Sequence, residues 1–414
     1  MGRTIPRSTR TPSRWTKCCK EREERPEGPR AEPRGSARGP FPSREGTLAG
    51  TEAPHVAAGQ LGRFERLPWR RIILIILGIV VVGVVVIGTW RTLTLDGADG
   101  GYSGGAWRDF IVQGAAQGAI FAMIALGYSL VYGILRMINF AHGEVFMAGA
   151  FASFFFADAY AKSGFLDRDP LFALAIVTAV AIGVSVGTAV LLERLAYRPL
   201  RNAPRLVPLI TAIGATLFLQ NAFRGFFGPQ PYGYPKPQVL AGSITVLGVP
   251  VQKVQLLVLV VAVICMAVLQ WFVSTTTTGR SMRAVAQDRE IASLMGINVD
   301  RVIVITFAIG GVLAGIAGVL FSLTFEQVQF TMGFRPGIAA FTAAVLGGIG
   351  SIGGAALGGF VIGLLQAVGP PLILTGFGIP SVFSLRDAFV FLVLVLVLVF
   401  RPGGLLGTGE VEKV

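Results

Sequence analysis

The stretch GRSMRAVAQDREIASLMGINVDR, residues 279–301, is a charged interruption between two long apolar runs. Its charged side chains are too numerous for hydrocarbon, where an Arg or Asp at a helix centre costs about 2.5–3.5 kcal/mol. Residues 282–295 are mostly good helix formers, and Gly296 stands where a C-terminal cap glycine belongs. The stretch therefore predicts one short helix, over 282–295, outside the bilayer.

An apolar patch marks one face of this predicted helix. Ile291, Leu294 and Met295 are spaced i, i+3 and i+4, so their side chains lie together on an otherwise charged surface. A membrane protein with such a patch outside the bilayer is expected to dock it on another protein.

The composition indicates a polytopic membrane protein. The chain has 414 residues, of which 53% are hydrophobic and only 14% charged, whereas soluble domains carry about 25% charged residues. The net charge is +13, and residues 1–71, with 16 Lys and Arg against 8 Glu, contribute +8 of it. A basic segment before an apolar span is typical of retention on the cytoplasmic side beside anionic lipid. It therefore does not indicate nucleic-acid binding.

Apolar spans fill most of the chain after a polar tail. Residues 1–68 are rich in Arg, Pro, Glu, Gly and Ser and are predicted to be a disordered basic tail. The following apolar runs are long enough to cross a bilayer, where the backbone must be helical to satisfy its own hydrogen bonds. The predicted fold is an all-α, polytopic membrane helix bundle with about nine or ten apolar spans, of which 337–350 is short enough to be broken or re-entrant. The spans are 72–90, 110–135, 140–160, 171–192, 206–227, 254–273, 302–323, 337–350, 354–374 and 385–400.

Loop charges orient these spans. One arginine cluster, from Arg194 to Arg205, follows the fourth span, and another, from Arg280 to Arg301, follows the sixth. Two spans separate the clusters, so both are expected on one side, which the positive-inside rule makes cytoplasmic. Counting from there places the N-terminal tail in the cytoplasm and the loop 228–253 outside. The C-terminal tail is cytoplasmic as well if 337–350 crosses.

The stretch Asn139-Phe140-Ala141-His142-Gly143-Glu144 puts ionisable side chains within apolar sequence, where they are costly and indicate function. In one interpretation Asn139 caps a helix and Glu144 offsets its macrodipole. In another, Asn139, His142 and Glu144 line the cytoplasmic part of a substrate path. A zinc-deaminase-like pair would need a later Pro-Cys-x-x-Cys, which is absent. Since His142 and Glu144 are about 200° apart on a helix, both face one pore only if the backbone is irregular.

Other motifs indicate packing instead of chemistry. Residues 348–353 match GxGxxG but join two spans, so they predict a tight turn and not a dinucleotide site. The chain contains no P-loop, so any ATP energy must come from a partner. With two histidines and three cysteines it offers neither a hydrolase triad nor a metal site. Four GxxxG pairs predict close helix contacts: Gly183/Gly187, Gly311/Gly315, Gly354/Gly358 and Gly359/Gly363.

Six stretches together resemble a known family: GYSLVYGILRMINFAHGEVFMAGAF (127–151), ERLAYRPLR (193–201), AIGATLFLQN (212–221), GRSMRAVAQDREIASLMGINVDRVIVITF (279–307), FTAAVLGGIGSIGGAALGGFVIG (341–363) and EVEKV (410–414). They are similar to the permease subunit of high-affinity branched-chain amino acid ABC importers that carries the Asn-Phe-Ala-His-Gly-Glu signature. The resemblance begins near Phe110. It divides the chain into a disordered basic cytoplasmic tail (1–68), an extra transmembrane span with an outer loop (69–109), a permease domain (110–407) and a cytoplasmic tail (408–414).

The resemblance implies a multi-pass permease of a bacterial plasma membrane, not an enzyme. Its partners would be a sister permease, two cytoplasmic ATP-binding subunits and an extracytoplasmic amino-acid-binding protein. ATP and Mg²⁺ would be bound by the ATPase subunits, with no cofactor in this chain. Residues 290–296 match the Glu-Ala-Ala-x-x-x-Gly loop that docks importer permeases on the ATPase, with isoleucine at one alanine position and without the later Ile-x-Leu-Pro. The implied coupling residues are Glu290, Ile291, Ala292, Leu294, Met295 and Gly296.

Two alternative functions stay open at this point. Relatives with the same signature carry urea or short amides, and the residues of this chain do not separate those substrates from branched-chain amino acids. An ion-driven secondary transporter would need intramembrane carboxylates as its driver, and Glu144 is nearly the only candidate.

Overall fold

The computed structural model describes residues 69–95, 101–201, 203–204, 206–246, 248–379, 382–401 and 403–406. The predicted disordered tail 1–68 and the predicted C-terminal tail 408–414 lie outside these residues. Almost all of the described chain is helical, which confirms the all-α class.

The α-helices of the described residues are α1 (Trp69–Thr94), α2 (Gly104–Leu135), α3 (His142–Lys162), α4 (Phe165–Arg168), α5 (Pro170–Leu192), α6 (Leu206–Phe227), α7 (Lys253–Thr275), α8 (Thr277–Gln287), α9 (Arg289–Leu294), α10 (Val299–Phe325), α11 (Phe334–Gly347), α12 (Ile352–Leu374) and α13 (Arg386–Phe400). A π-helix (Glu193–Tyr197) and a 3-10 turn (Arg198–Leu200) extend α5. Further 3-10 turns are Gln238–Leu240, Thr375–Phe377 and Val382–Leu385. The strands are β1 (Tyr232–Gly233), β2 (Ser243–Val246), β3 (Val249–Gln252) and β4 (Gln327–Val328).

Each predicted span corresponds to a helix, but not every one of these helices is long and apolar enough to cross a membrane. Within the described chain, eight helical segments are long and apolar enough to cross a membrane. Two more helices complete the ten predicted spans: α3, which contains His142 and Glu144, and α11, which has only 14 residues. At 1.5 Å per residue α11 is about 21 Å long, shorter than the roughly 30 Å of a hydrocarbon core.

Ion pairs bring the two predicted arginine clusters to one end of the bundle. Arg198 and Arg201, which follow α5, both bind the carboxylate of Asp300 at the start of α10. Arg289 donates two hydrogen bonds, of 3.1 and 2.6 Å, to the carbonyl of Ile134 at the end of α2. We call this the arginine-rich end. The expectation that both clusters lie on the same side is confirmed.

Short strands mark the opposite end. β1, in the loop after α6, pairs antiparallel with β4, in the loop after α10, and β2 pairs with β3 as a hairpin. Lys236 and Glu326 form a 2.6 Å ion pair beside β1 and β4. The loop 228–253 therefore lies away from the arginine-rich end, as the span count predicted.

The short helix α11 connects the two ends. It starts a few residues after β4, at the opposite end, and its last turn contacts Gly354 at the start of α12. The backbone N–H groups of Leu405 and Leu406, beyond α13, donate to the carbonyls of Leu346 and Gly347. The chain therefore passes from β4, at one end, to the start of α12, at the other, through the turns at 329–333 and α11.

Glycines let α12 pack on α2 at backbone distance. A Cβ on Gly359 or Gly363 would clash with backbone atoms of Ala122 or Gly118, so only glycine permits this approach. Contact at this range is how helices hold each other in lipid, since burial from lipid yields no hydrophobic gain. As a result α2 is buried along most of its length.

Three of the four predicted GxxxG pairs make such contacts, and one does not. Gly311 and Gly315 of α10 pack on α5, and the Gly354/Gly358 pair of α12 packs on α11. At Gly183 and Gly187 of α5 an added Cβ meets nothing within 4 Å among the described residues. The predicted tight turn at 348–353 is confirmed, because Gly348 and Gly350 have positive φ values of 102° and 92° between α11 and α12.

The added span α1 packs on the bundle near its C-terminal end. Gly88 contacts Ile373 and Phe377, and Thr92 Oγ1 accepts a 2.8 Å hydrogen bond from the backbone of Gly376. Most of the remaining described α1 side chains are exposed apolar residues, which suits contact with lipid.

Gly359→Ala should lower the stability of the purified protein. Overpacking of a close contact costs about 1–3 kcal/mol, which exceeds the gain of about 1 kcal/mol from removing a helical glycine. The measurement is the midpoint of thermal unfolding in detergent. Gly183→Ala is the matched control and should leave the midpoint unchanged or slightly higher. An equal loss in both variants would contradict the packing of α2 on α12.

Candidate functional site

The charged stretch at the arginine-rich end forms two helices instead of the predicted one. α8 ends at Gln287, and Asp288 is extended, with φ −150° and ψ 120°. Its carboxylate accepts hydrogen bonds from the backbone N–H groups of Glu290 (2.8 Å) and Ile291 (3.0 Å), so it caps a second helix, α9. The single helix over 282–295 is therefore wrong. The break follows from the ability of an Asp side chain to compete for backbone donors.

Gly296 ends α9 as predicted. It has a positive φ of 81°, a conformation that glycine adopts without steric cost. The N–H of Gly296 donates to the carbonyl of Ser293 (3.0 Å), and that of Ile297 donates to Ala292 (3.1 Å). This pair of bonds is a Schellman motif and sets the direction in which the chain enters α10.

The predicted apolar patch is exposed. Ile291, Leu294 and Met295 are 60%, 85% and 78% exposed, whereas Ala292 is 4% exposed and anchors α9 to the bundle. Glu290 is also exposed. We call Ile291, Leu294 and Met295 the apolar patch of α9. Because these side chains are exposed in the single chain, only a partner molecule can cover the apolar patch.

Arg289, the first residue of α9, ties this helix to α2. Its two hydrogen bonds end on the carbonyl of Ile134, one of the carbonyls that a helix C-terminus leaves without an internal partner. The positive charge also suits the negative end of the helix dipole. α9 is thereby held on the most buried helix of the bundle.

Glu144 lies in the first turn of α3, at the wall of a cavity of about 320 Å³. Its Oε1 accepts a 2.8 Å hydrogen bond from Nε2 of Gln220 on α6, while its buried Oε2 has no hydrogen-bond partner. The carboxylate forms part of the polar wall, with Oε1 bonded to Gln220 and Oε2 buried next to Gly333. The apolar residues Phe140, Ile213, Leu217, Phe334 and Ile338 provide much of the remaining lining.

A second cavity, of about 700 Å³, adjoins the first on the side toward the opposite end of the bundle. The two cavities share Leu217, Gln220 and Phe334 in their walls. The larger one has more polar groups in its wall than the first: Gln117 of α2 donates a 3.0 Å hydrogen bond to Gln366 of α12. Its lining also includes the ion pair of Arg335 with Asp387, 3.5 Å apart.

His142 does not line these cavities. Its ring packs edge-on against Tyr128, with 5.0 Å between ring centroids, and a Cβ on Gly127 would clash with it. Nε2 of His142 is buried without a hydrogen-bond partner. His142 and Glu144 therefore point in different directions, as their spacing indicated.

Asn139 is a buried hydrogen-bond acceptor and not a helix cap. α3 begins at His142 and its N-cap residue is Ala141. Oδ1 of Asn139 accepts a 2.6 Å hydrogen bond from the hydroxyl of Tyr197 in the π-helix after α5. Asn139 also borders a small void near Tyr128. The capping interpretation of Asn139 is wrong, because the chain makes a turn before the helix starts.

Several polar residues of this region carry no motif in the sequence and were not predicted. Gln220, Gln117 and Gln366 each lie within an apolar span, and a polar side chain at such a position is the signal that could have marked them. Arg289 was predicted only to be one of the loop charges that orient the spans. Within the described residues no group of three or more His, Cys, Asp or Glu could hold a metal ion.

Residues 110–398 match the family described as branched-chain amino acid transport system, permease component. The chain belongs to this family. BraD of Pseudomonas aeruginosa, a high-affinity branched-chain amino acid transport system permease protein, is 43% identical over 312 residues, which cover 73% of this chain and 97% of BraD. LivH of Escherichia coli K12, which has the same description, is 40% identical over 305 residues, covering 73% of this chain and 96% of LivH. The chain is thus a membrane permease component and not an enzyme.

The matched region of the permease excludes α1, which ends before residue 110. It includes the cavities, α9 and the arginine-rich end. Among solved structures, a metal-chelate type ABC transporter in an inward-facing conformation covers 80% of this chain with a TM-score of 0.37 and 17% identity. That similarity is too weak to support an argument about this permease.

Tyr197→Phe should destabilise the permease by about 1–3 kcal/mol, because it leaves the buried Oδ1 of Asn139 without its donor. Thermal unfolding in detergent measures the loss. Asn139→Leu combined with Tyr197→Phe removes both partners and should recover part of it, since no polar group is then left unpaired. Additive losses in the double variant would contradict the coupling of these two side chains.

Proposed function

We propose that the permease is one of two transmembrane subunits of an ATP-driven importer and translocates branched-chain amino acids delivered by an extracytoplasmic binding protein. The observation that carries this proposal is the pair of adjoining cavities that lie between the opposite end of the bundle and Glu144. The names of BraD and LivH support the substrate class, because both are permeases of branched-chain amino acid systems.

The cavity at Glu144 has chemistry that suits such a substrate. The carboxylate of Glu144 can attract the substrate ammonium group, and the Gln220 amide keeps a second N–H for a carboxylate. Phe140, Ile213 and Ile338 offer apolar surface for an aliphatic side chain. Ligand cavities commonly combine a mostly apolar lining with a few oriented polar groups. Asn139 and His142 support the wall from behind Tyr128 without lining it.

Exposed apolar surface beside the cavities supports a sister permease as partner. α6 supplies Leu217 and Gln220 to the cavity walls, yet most of its surface is exposed in the single chain. A second membrane subunit against α6 would close the pathway laterally from lipid. Within this proposal the path lies between two permeases and not inside one.

The apolar patch of α9 is the proposed docking surface for a cytoplasmic ATP-binding subunit. Two such subunits would bind ATP and Mg²⁺, and this chain would supply no cofactor site. The coupling residues are Glu290, Ile291, Ala292, Leu294, Met295 and Gly296, of which Ala292 packs inward and Gly296 shapes the loop. Closure of the ATPase subunits would move α9, and the Arg289 bond to Ile134 would pass that movement to α2.

The arginine-rich end would face the cytoplasm of a bacterial cell, by the positive-inside rule. The opposite end, with the β2–β3 hairpin, would then meet the binding protein. Both chain tails are proposed to be cytoplasmic, since α1 starts and α13 ends toward the arginine-rich end.

Glu144→Gln should lower ATP-dependent leucine uptake about 10–100-fold, because a hydrogen bond to a charged group contributes about 1.5–3 kcal/mol. The measurement is uptake into proteoliposomes that contain the assembled importer, with assembly checked by size exclusion. Asp158→Asn, at the other end of α3, is the control and should keep uptake, because its ion pair with Lys162 is exposed. Normal uptake by Glu144→Gln, or leucine uptake by this permease alone without ATP, would contradict the proposal.

Leu294→Glu should reduce co-purification of the ATPase subunit with the permease about tenfold or more, since buried apolar anchors dominate protein interfaces. The amount of folded permease should not change, because the Leu294 side chain is exposed. Quantitative blotting after affinity purification gives both values. Gln287→Glu adds the same charge at the exposed end of α8 and is the matched control. Undiminished co-purification of Leu294→Glu would exclude the apolar patch as the docking surface.

A further inference from the structure

A cavity of about 370 Å³ lies at the arginine-rich end and shares no lining residue with the pathway cavities. Arg198 and Arg201 reach it from the end of α5, Arg289 from α9 and Asp300 from α10. The ends of three segments therefore meet around one polar void. Neither the transport pathway nor the apolar patch of α9 accounts for it.

Positive charge exceeds negative charge around this cavity. Three guanidinium groups line it, against the carboxylate of Asp300 and that of Glu193, which is fully buried and paired with Arg201. Nε of Arg201 is buried and has no hydrogen-bond partner. Burial, and then the guanidinium groups of Arg201 and Arg136, lower the pKa of Arg289. A bound anion would relieve this repulsion.

The ion pair between Arg198 and Asp300 leaves room for such an anion. Its N–O distance is 3.1 Å and both side chains are more than half exposed, a setting in which an ion pair contributes about 0–1 kcal/mol. The guanidinium of Arg198 can therefore turn from the carboxylate to an incoming oxyanion at small cost. Guanidinium groups match the geometry of a phosphate, which they bind through two parallel hydrogen bonds.

Apolar surface next to the cavity favours a phosphate that carries acyl chains. Leu191 and Leu195 lie one turn apart, ahead of Arg198, and are 56% and 69% exposed. They belong to a helical segment, Pro170–Leu200, that is long and apolar enough to span the membrane. Basic pockets at the cytoplasmic ends of membrane helices are suited to anionic lipid headgroups.

We propose that the cavity lined by Arg198, Arg201 and Arg289 binds the phosphate group of an anionic phospholipid, whose acyl chains lie along Leu191 and Leu195. The lipid phosphate bridges the extension of α5 and the start of α9. It thereby adds a contact at the junction where Arg289 joins α9 to α2.

The test is the retention of phosphatidylglycerol by the full-length permease in its purified complex. Nanodiscs of phosphatidylcholine with a minor fraction of phosphatidylglycerol are prepared, and bound lipid is counted by native mass spectrometry. Arg198→Gln should lower phosphatidylglycerol occupancy about tenfold, the loss of one charge-assisted contact. Arg194→Gln is the matched control, because Arg194 lies one turn before Arg198, in the preceding π-helix, but does not line the cavity. Equal losses in both variants, or no loss in Arg198→Gln, overturn the proposal.

A second variant tests the buried side of the cavity. Glu193→Gln with Arg201→Gln removes the guanidinium without leaving a lone buried charge, and so keeps the fold testable if Arg198→Gln assembles poorly. It too should lose phosphatidylglycerol, and full retention overturns the proposal. In nanodiscs of phosphatidylcholine alone, inorganic phosphate should not raise the unfolding temperature. Stabilisation by inorganic phosphate that disappears in Arg198→Gln would assign the cavity to soluble phosphate and overturn the lipid assignment.

Discussion

Helices in a bilayer gain nothing by hiding apolar side chains from lipid, so they must hold each other through contacts at very short range. In this permease that constraint acts on α2. The glycines of α12 let it approach Gly118 and Ala122 at backbone distance, and α10 packs on α5 in the same way through Gly311 and Gly315. The consequence is an inner set of helices that are more than half buried, namely α2, α3, α10, α11 and α12. The long helices α1, α5, α6, α7 and α13 around them are largely exposed.

The polar groups of the pathway depend on this inner set. Gln117 and Gln366 can bond only because α2 and α12 touch, and Glu144 meets Gln220 only where α3 comes next to α6. Most buried polar groups in a protein have partners, so one without a partner needs an explanation. Oε2 of Glu144 is such a group, buried without a partner beside a cavity, and a helix shift that uncovered it would let a substrate atom become its partner. This link between a close-packed core and an unsatisfied carboxylate is the physical basis of the proposed path.

Features that are set by the local sequence could be predicted, whereas contacts between residues far apart in the chain could not. Span length, loop charge and the glycine after α9 follow from local composition, and they agree with the structure. The break at Asp288 was missed because Asp is compatible with a helix interior and with a cap, and only the backbone geometry decides between them. A GxxxG pair indicates that another helix can approach closely, but it does not indicate which helix does so. Gly183 and Gly359 share this pattern, yet only Gly359 has a neighbour in the described chain. The partner of Glu144 lies 76 positions away on another span, and no spacing rule connects Glu144 with Gln220.

Coupling between α9 and the pathway requires a connection that is stiff and has a defined end point. The Arg289 side chain provides the defined end point, because both of its hydrogen bonds end on one carbonyl of α2. α2 provides the stiffness, since it is continuous from Gly104 to Leu135. It also places Tyr128 in the cavity wall. A displacement of α9 must therefore either break two charge-assisted hydrogen bonds or shift α2 against the glycines that hold it. Hydrogen bonds to charged groups contribute about 1.5–3 kcal/mol each, whereas a shift of α2 along α12 strains the neutral hydrogen bonds of Gln117 with Gln366 and of Ser129 with Gly350, which contribute about 0.5–1.5 kcal/mol each. The second response costs less, so movement at α9 is expected to reach the wall that contains Tyr128.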